Sequence, residues 1–514
     1  MPWWKPSTWF RSGVEALALE APARPRELTR LRYDGAKRDH LTSAWIAGDG
    51  DASSEIGPDL ARLRQRAREA ERNRGLATRI LDLFESTVIG AVGDRPRFFV
   101  TSRSGAELPG YDSQLADVWR AWAKEASAAD RLTFQALQAL ALRSIVRDGE
   151  ILGRLRPRRL EDVASVPLQI ELLEADHLDT LKNLELPNGG RIVNGVESDA
   201  IGRVVAYWVF RRHPGDRTGI GMIDAVRVPA ESIVHPFRAT RAGQRRGVTW
   251  LAPVLDEIWH HTELRRAERV RFRASACTFA TVSGANDDGD DGINPVEPMD
   301  GEEAGPTGYV EDADGNPVNQ MVPGLIANVT HGKELTLHTP NAAVGYADAI
   351  RVEERDIARG VGLMYEALSG DLSSVNWASF RVGDVRFRAL VDMIRSNVLE
   401  PLFLDPIVKV WLDFGLASGR ITIPPGASVR VEWRWLPHEE MDREASAKAD
   451  IAEMRAGGTT FEQFCERRGS TMAEQIASHK RSIDALTAAG VILDGIPAQT
   501  TNGGMTQQAP PLPA

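Results

Sequence analysis

The chain has 514 residues, a formal net charge of −10, 42% apolar residues and 26% charged residues. That length exceeds one ordinary core and predicts two to four structural units of a folded protein. The acidic balance excludes a generally polyanion-binding protein, so any contact with DNA must be local or weak, and no apolar run approaches the roughly 20 residues of a membrane span.

Residues 1–55, rich in Arg, Pro, Ser and Gly, predict an extended arm whose Trp3, Trp4 and Trp9 dock on the body or on a neighbour. No secretory pattern opens the chain. A helical pattern follows over Asp59–Thr87, dense in Arg62, Arg64, Arg66, Arg68, Arg72, Arg74 and Arg79. It reads either as a phosphate-facing strip or as a solvated helix face laced with Glu69, Glu71 and Asp82. Tyr111–Glu150 carries two more helices. Trp119 and Trp122 are expected in the core with the stripe Phe134, Leu137, Leu140, Leu142 and Ile145. Strands are predicted at Ile151–Arg156, Leu168–Leu173, Arg191–Glu197, Arg203–Arg211 and Ile233–Phe237, with a hairpin turn at Asp199–Gly202.

The run Arg241–Pro253 (RAGQRRGVTWLAP) leads into a helix expected from Leu251 to about Phe279, with Pro253 in its first turn. Its apolar residues cluster early; its later half is mainly charged, and a long helix of that kind must line a wet space or meet charged neighbours. Residues 281–340 hold 12 Asp and Glu against the single Lys333. They predict a loop-rich excursion with short strands near Leu325–Val329 and Glu334–Leu337. In Gly345–Pro401 two amphipathic helices flank a polar loop. Ile350, Ile357, Val361, Met364 and Leu368 share one face of the first. Trp377, Phe380, Phe387, Val391, Ile394 and Val398 share one face of the second, with Arg381, Arg388 and Arg395 on another. Beyond come a helix at Leu402–Phe414, a strand at Val429–Trp435, helices at Glu439–Arg455, Thr460–Arg468 and Met472–Ala488, and a disordered tail from Pro497.

No catalytic constellation emerges. The phosphate-binding loop is missing, because Gly332-Lys333 is followed by Glu334 and lacks the upstream Gly. Neither HExxH nor GxSxG occurs. Asp256 and His260 could share a metal at i, i+4, or form a solvated helix pair. The acidic run beginning Asp287-Asp288-Gly289 fails the EF-hand pattern, with Gly289 at position 3 and Pro298 at position 12. Cys277 and Cys465 lack metal or disulfide spacing and suit a reduced compartment. No metal, cofactor or catalytic set is expected.

The wording of the second helical pair, YEALSGDLSSVNWASFR, resembles the motif of the lambda-type bacteriophage portal proteins, and RAGQRRGVTWLAP resembles that family's lead into its channel-lining helix. The segments ERNRGLATRILDLFESTVIG, VPLQIELLEADHLDT and RVPAESIVHPF follow the family's order. The resemblance implies an α+β portal fold with an α/β wing, two-helix stem, β-containing clip, tunnel loop and helical C-terminal crown. Its divisions would be an arm at 1–55, wing at 56–250, stem helix 1 at 251–280, clip at 281–344, stem helix 2 at 345–370 and tunnel loop at 371–377. Wing return at 378–438, crown at 439–495 and tail at 496–514 would complete it. It further implies a homo-oligomeric ring of about twelve copies at one capsid vertex, through which double-stranded DNA is packaged and ejected. Implied partners are the terminase large subunit, a head-tail adaptor and the major capsid and scaffold proteins, in the virion and in host cytoplasm during assembly, with no membrane.

The residues implied for the tunnel loop are Asp371, Ser373, Ser374, Asn376 and Trp377. Those for the stem lining are Arg265, Arg266, Arg269, Arg273, Arg351, Glu354 and Arg355. Those for partner binding at the clip are Asp287, Asp288, Asp290, Asp291, Glu302 and Glu303. The competing readings are a metal-dependent DNA-processing enzyme, which predicts turnover and a divalent requirement, and a plain capsid or scaffold protein, which predicts shells.

Overall fold

A computed structural model describes residues 40, 43–44, 48–275, 279–283, 310–311, 317–318, 334–338, 345–435, 438 and 442–489, leaving out positions 92, 94, 130, 219–223, 374 and 469. The expected arm through residue 39, the tail and the strand at Leu325–Val329 lie outside these residues. After a short α1 (Ala52–Ile56), helices α2 (Leu60–Asn73) and α3 (Gly75–Phe84) meet at an elbow at Arg74, and a π-wound turn Glu85–Ile89 follows. The single helical pattern expected here is broken because Arg74 adopts extended backbone (φ −129°, ψ 110°).

Strand β1 (Arg95–Thr101) precedes α4 (Pro109–Trp122) and α5 (Phe134–Asp148), the latter capped by Thr133 at one end and by left-handed Gly149 at the other. Trp119 and Trp122 are buried as expected, with ring centroids 4.7 Å apart. Both meet Trp411 (5.0 and 6.2 Å), and Phe134 closes the cluster. Leu140 departs from the expected stripe: it is exposed, and Ala141 is buried in its place.

The strands form antiparallel sheets. β2 (Leu152–Pro157) lies between β3 (Leu168–Leu173) and β9 (Ile233–Val234). A second sheet runs in sequence order through β4 (Leu184–Glu185), β5 (Arg191–Val193), β6 (Val196–Ser198), β7 (Val204–Phe210) and β8 (Ala225–Pro229). The single strand expected at Arg191–Glu197 is instead the hairpin β5–β6. Its two-residue turn Asn194-Gly195 takes positive φ at both positions (49° and 83°), the geometry that matches the twist of the flanking strands. The turn at Asp199–Gly202 is present, closed by Asp199 N–H to the Arg203 carbonyl.

The long helix starts with a 3₁₀ turn Ala252–Val254 and continues as α6 (Leu255–Ser275), four residues short of Phe279. Phe279 begins β10 (Phe279–Ser283), whose backbone pairs with β13 (Glu334–His338) and so closes the base of the acidic excursion; β11 (Val310–Glu311) pairs with β12 (Pro317–Val318) within it. Helix α7 (Tyr346–Val361) returns against α6, and α8 (Tyr365–Ser369) follows. The expected continuous stripe from Ile350 to Leu368 is interrupted by Gly362 (φ 80°). There the Gly362 and Leu363 N–H groups bond back to the Arg359 and Ala358 carbonyls.

After the loop, α9 (Trp377–Ile394) runs without a stop through Pro401 into α10 (Asp405–Ala417), by way of a π-wound stretch Arg395–Leu404. The wider winding leaves room for the proline ring, which in an α-turn would meet the carbonyl four residues back. Arg395 does not share an outer face with Arg381 and Arg388. It is buried, donating to the Val88 and Thr87 carbonyls at 2.9 and 3.0 Å. β14 (Ser428–Arg434) pairs with β1 along its whole length, joining residues more than three hundred positions apart. α11 (Arg443–Arg455), α12 (Phe461–Arg467) and α13 (Met472–Ala488) end the described chain.

One large core runs from α2 through α10, and a smaller one lies under β7 around Leu152, Leu178 and Val209. Among the described residues no helix is long and apolar enough to cross a membrane.

Candidate functional site

The segment Arg241–Pro253 is a fastening at the root of α6. Arg246, 1% exposed, donates to Glu150 at 2.8 Å, to the Asn194 and Ala175 carbonyls at 2.7 and 3.2 Å, and to Thr180 at 3.2 Å. Glu150, fully buried, also accepts from Arg64 (3.2 Å) and from the Gly247 backbone (2.7 Å), and His235 Nε2 lies 2.9 Å from it. Burial alone would raise the Glu150 carboxyl. Arg246 and His235 outweigh it and hold the group well below the usual carboxylate range. The Gln244 side chain bridges the Thr240 and Arg246 backbones, and Trp250 N–H bonds the Val146 carbonyl. Two glycines permit the crossing of chains: a Cβ on Gly247 would stand 2.1 Å from the Gly149 carbonyl oxygen, and one on Gly149 (φ 93°) 2.4 Å from Val248.

This fastening absorbs part of the Arg-rich helix. Arg64 and Arg68 are neither a phosphate strip nor a solvated face: Arg64 is buried against Glu150, and Arg68 pairs with Asp148 at 2.9 Å and Asp176 at 2.5 Å. Glu71 and Asp82 do engage arginines, but those of α5: Arg143 (2.8 Å to each) and Arg147 (3.0 Å to Glu71). Sequence reasoning missed this cluster. The usable signal was the position of Arg64 inside the buried stripe Leu60, Ala67, Ala70, where a charge demands a partner. Glu174, Asp176 and His213 also converge, but Arg68 and Arg147 already stand among them, so guanidinium supplies the positive charge.

From the root, α6 and α7 run together, joined where His261 Nε2 lies 3.3 Å from Glu354. Burial lowers the His261 pKa, Glu354 opposes that, and Arg265 adds to it. Glu354, expected on the stem lining, has a side chain only 14% exposed and faces His261. Arg265, Arg266, Arg269 and Arg273 are exposed. Arg351 is exposed and pairs with Asp348 at 3.3 Å; Arg355 lies over the Tyr365 ring at 5.1 Å. Asp256 and His260 form the solvent-exposed pair, at 3.5 Å.

The polar loop after α8 starts at left-handed Gly370. Asp371 accepts from the Ser373 hydroxyl and backbone (2.6 and 3.0 Å), bonds that hold its carboxyl below the usual range and keep it charged. Asn376 is exposed and its carbonyl accepts from Phe380 N–H in the first turn of α9. Ser374 and the Trp377 side chain lie outside the described residues, as do Asp287, Asp288, Asp290, Asp291, Glu302 and Glu303. Between the α2–α3 elbow, α6 and the end of α8 lies a recess of about 780 Å³, with Arg74, Arg79, Arg265, Arg266 and Arg269 around it. Chemically the arrangement offers ordered charge on exposed helices carried by a rigid mount.

Residues 38–395 match the family described as "Phage portal protein, lambda family". The chain is 28% identical over 441 residues to the "Probable portal protein" of Halomonas phage phiHAP-1, covering 84% of this chain and 81% of that one. It is 20% identical over 512 residues to "Portal protein B" of Escherichia phage lambda, covering 90% and 91%. A solved chain described as "Neck of native GTA particle computed with C12 symmetry" is 14% identical, covers 80% of this chain and 92% of its own, and has a TM-score of 0.42.

Proposed function

Since the chain belongs to the lambda family of phage portal proteins, a capsid portal family, we propose that its copies close into a ring at one vertex whose central hole passes double-stranded DNA. α6 and α7 are the stem, the part from α1 to β9 with the return through α10 and β14 is the wing, and the excursion between β10 and β13 is the clip. The loop 371–377 narrows the bore, and α11–α13 form the crown. The observation that carries this reading is the helix pair itself. At 1.5 Å per residue, α6 extends on the order of 30 Å, apolar where it is mounted and charged where it leaves the core, as a wall facing water and charge requires.

Twelve such helices touching at roughly 8–10 Å set their axes on a ring on the order of 30–38 Å across. Subtracting a helix diameter of about 10 Å leaves room for a duplex with little to spare. Passage requires a weak grip, because every phosphate neutralised by a fixed cation adds affinity. The stem mixes signs accordingly: Arg351 pairs with Asp348 and Arg355 stands between Glu354 and Asp356 in the sequence, while Arg265, Arg266, Arg269 and Arg273 lie on the wall or in the seams between copies. The acidic clip residues Asp287, Asp288, Asp290, Asp291, Glu302 and Glu303, multiplied around the ring, suit basic surfaces of the terminase large subunit or a head-tail adaptor. Contacts to the major capsid and scaffold proteins, a virion location, assembly in host cytoplasm and purely mechanical work without covalent catalysis complete the proposal.

Deleting Ser373–Asn376 tests the bore. Rings of the deletion variant should assemble as wild type while packaging or retention of DNA falls; failure of the rings to form would make the loop a structural element instead.

A further inference from the structure

The recess beside the stem is unbalanced in charge. Five guanidiniums surround it, against the carboxylates of Glu69, Glu263 and Glu354. Glu69 is already engaged by Arg74 at 3.3 Å and Glu354 by His261 at 3.3 Å. Arg79 donates to the Ala367 carbonyl and so ties α3 to α8 across the recess. Arg265, Arg266 and Arg269 make no hydrogen bond or ion pair among the described residues, although they crowd little more than one turn of a helix at spacings where like charges repel. Part of the lining is apolar, with Leu76 half-buried and Leu368 buried. Such a surface calls for an occupant that is acidic and carries an apolar side chain.

Direction decides what can reach it. At about 100° per residue, Arg265 and Arg269 stand within about 20° of Ile258 around α6, and Arg266 within about 20° of Leu255. Leu255 and Ile258 are the buried residues by which α6 sits on the core. The three guanidiniums therefore prolong the body-facing side of the helix beyond the core, across from the α2–α3 elbow. In a ring whose hole is walled by the α6–α7 pair, that side looks into the crevice between stem and wing, away from the bore. What enters the crevice comes from outside the ring. A helix about 10 Å thick fills a volume of this size over about two turns. Carboxylates four residues apart on such a helix are offset by about 6 Å along it, the same offset as Arg265 and Arg269 on α6.

We propose that the recess is a docking site for an acidic helical segment of a protein that surrounds the ring, with two of its carboxylates held by Arg265 and Arg269 and an apolar side chain set against Leu76. This rests on the ring reading above. It puts Arg265, Arg266 and Arg269 on the outer side of the stem wall.

The test uses full-length wild-type rings at low ionic strength, where exposed charges are least screened. The probes are a short fluorescein-labelled helical peptide with glutamates four residues apart and one leucine stripe, its counterpart with lysine for glutamate, and a short labelled DNA duplex. By fluorescence anisotropy the acidic peptide should bind saturably at one per subunit, and the lysine peptide at least tenfold more weakly. Arg265→Glu/Arg269→Glu, in rings whose circular dichroism matches wild type, should weaken the acidic peptide at least tenfold. Hydrogen exchange on wild type needs no variant: the acidic peptide should slow the amides of residues 73–79, where the first turn of α3 lacks a side-chain cap. Binding that leaves those amides unchanged, or that survives the double substitution in folded rings, overturns the proposal, as does an acidic peptide that does not bind. Duplex binding that slows the same amides and that the acidic peptide does not displace overturns it in favour of a phosphate contact. Amides 73–79 already slower in wild-type rings than in monomers overturn it in favour of a neighbouring copy. An acidic peptide that protects the recess of a wild type unable to form rings supports the docking surface and defeats the ring reading instead.

Discussion

Glu150 shows how one residue can set the frame for the rest. Its carboxylate stands between Arg64 from α2, Arg246 from the root of α6 and His235 from the end of β9, all nearly excluded from water. Removing one member of such a set leaves the others charged and unpaired, which costs about 3–5 kcal/mol. Glu150→Gln should therefore lower the unfolding free energy read from urea denaturation of the purified protein by an amount of that order, and a change within error would show the cluster to be dispensable. The pH dependence has a definite sign. Because the folded-state pKa lies below the unfolded value of about 4.5, the group's stabilisation is complete above that value and is lost as pH falls beneath it. The variant should flatten that acid limb. None of these partnerships was legible in the sequence, since Arg64 and Glu150 are 86 positions apart. Only the intrusion of Arg64 into an apolar stripe hinted at one.

At the scale of elements, what was legible depended on local periodicity. The α4 and α5 pair, the long α6 and the terminal helices lie close to where their spacing puts them, because each buries a stripe or carries its own cap, as Thr460 and Thr471 do with Gln463 and Glu474. The misses share a cause: backbone geometry outvoted the apolar pattern. Asn194-Gly195 turned one strand into two, Gly362 divided a helix whose stripe continued past it, and Pro401 failed to end one because the chain winds more widely there. The mount of α6 depends on the same kind of geometry. Gly247→Ala would force its new methyl onto the Gly149 carbonyl, overpacking that costs about 1–3 kcal/mol. We expect a lower thermal midpoint and faster proteolysis around residues 241–253; an alanine accepted without loss would mean the crossing can relax.

For the whole molecule, one chain explains its own packing only in part. The core from α2 to α10 is closed by rings such as Trp119 and Trp411, yet apolar side chains stay exposed along α6, α7 and α9, among them Trp259, Val270, Val352, Val382 and Val385. Covered faces on neighbouring copies would give those side chains partners and would turn a charged helix pair into the wall of a hole. The portal wording of two short segments was enough to suggest this assembly.

The most direct measurement is electron microscopy of the purified full-length protein in end-on view. The account predicts closed rings with a central opening slightly wider than a duplex, lined by the α6–α7 pair. Monomers under assembly-promoting conditions, or closed shells without a hole, would contradict it.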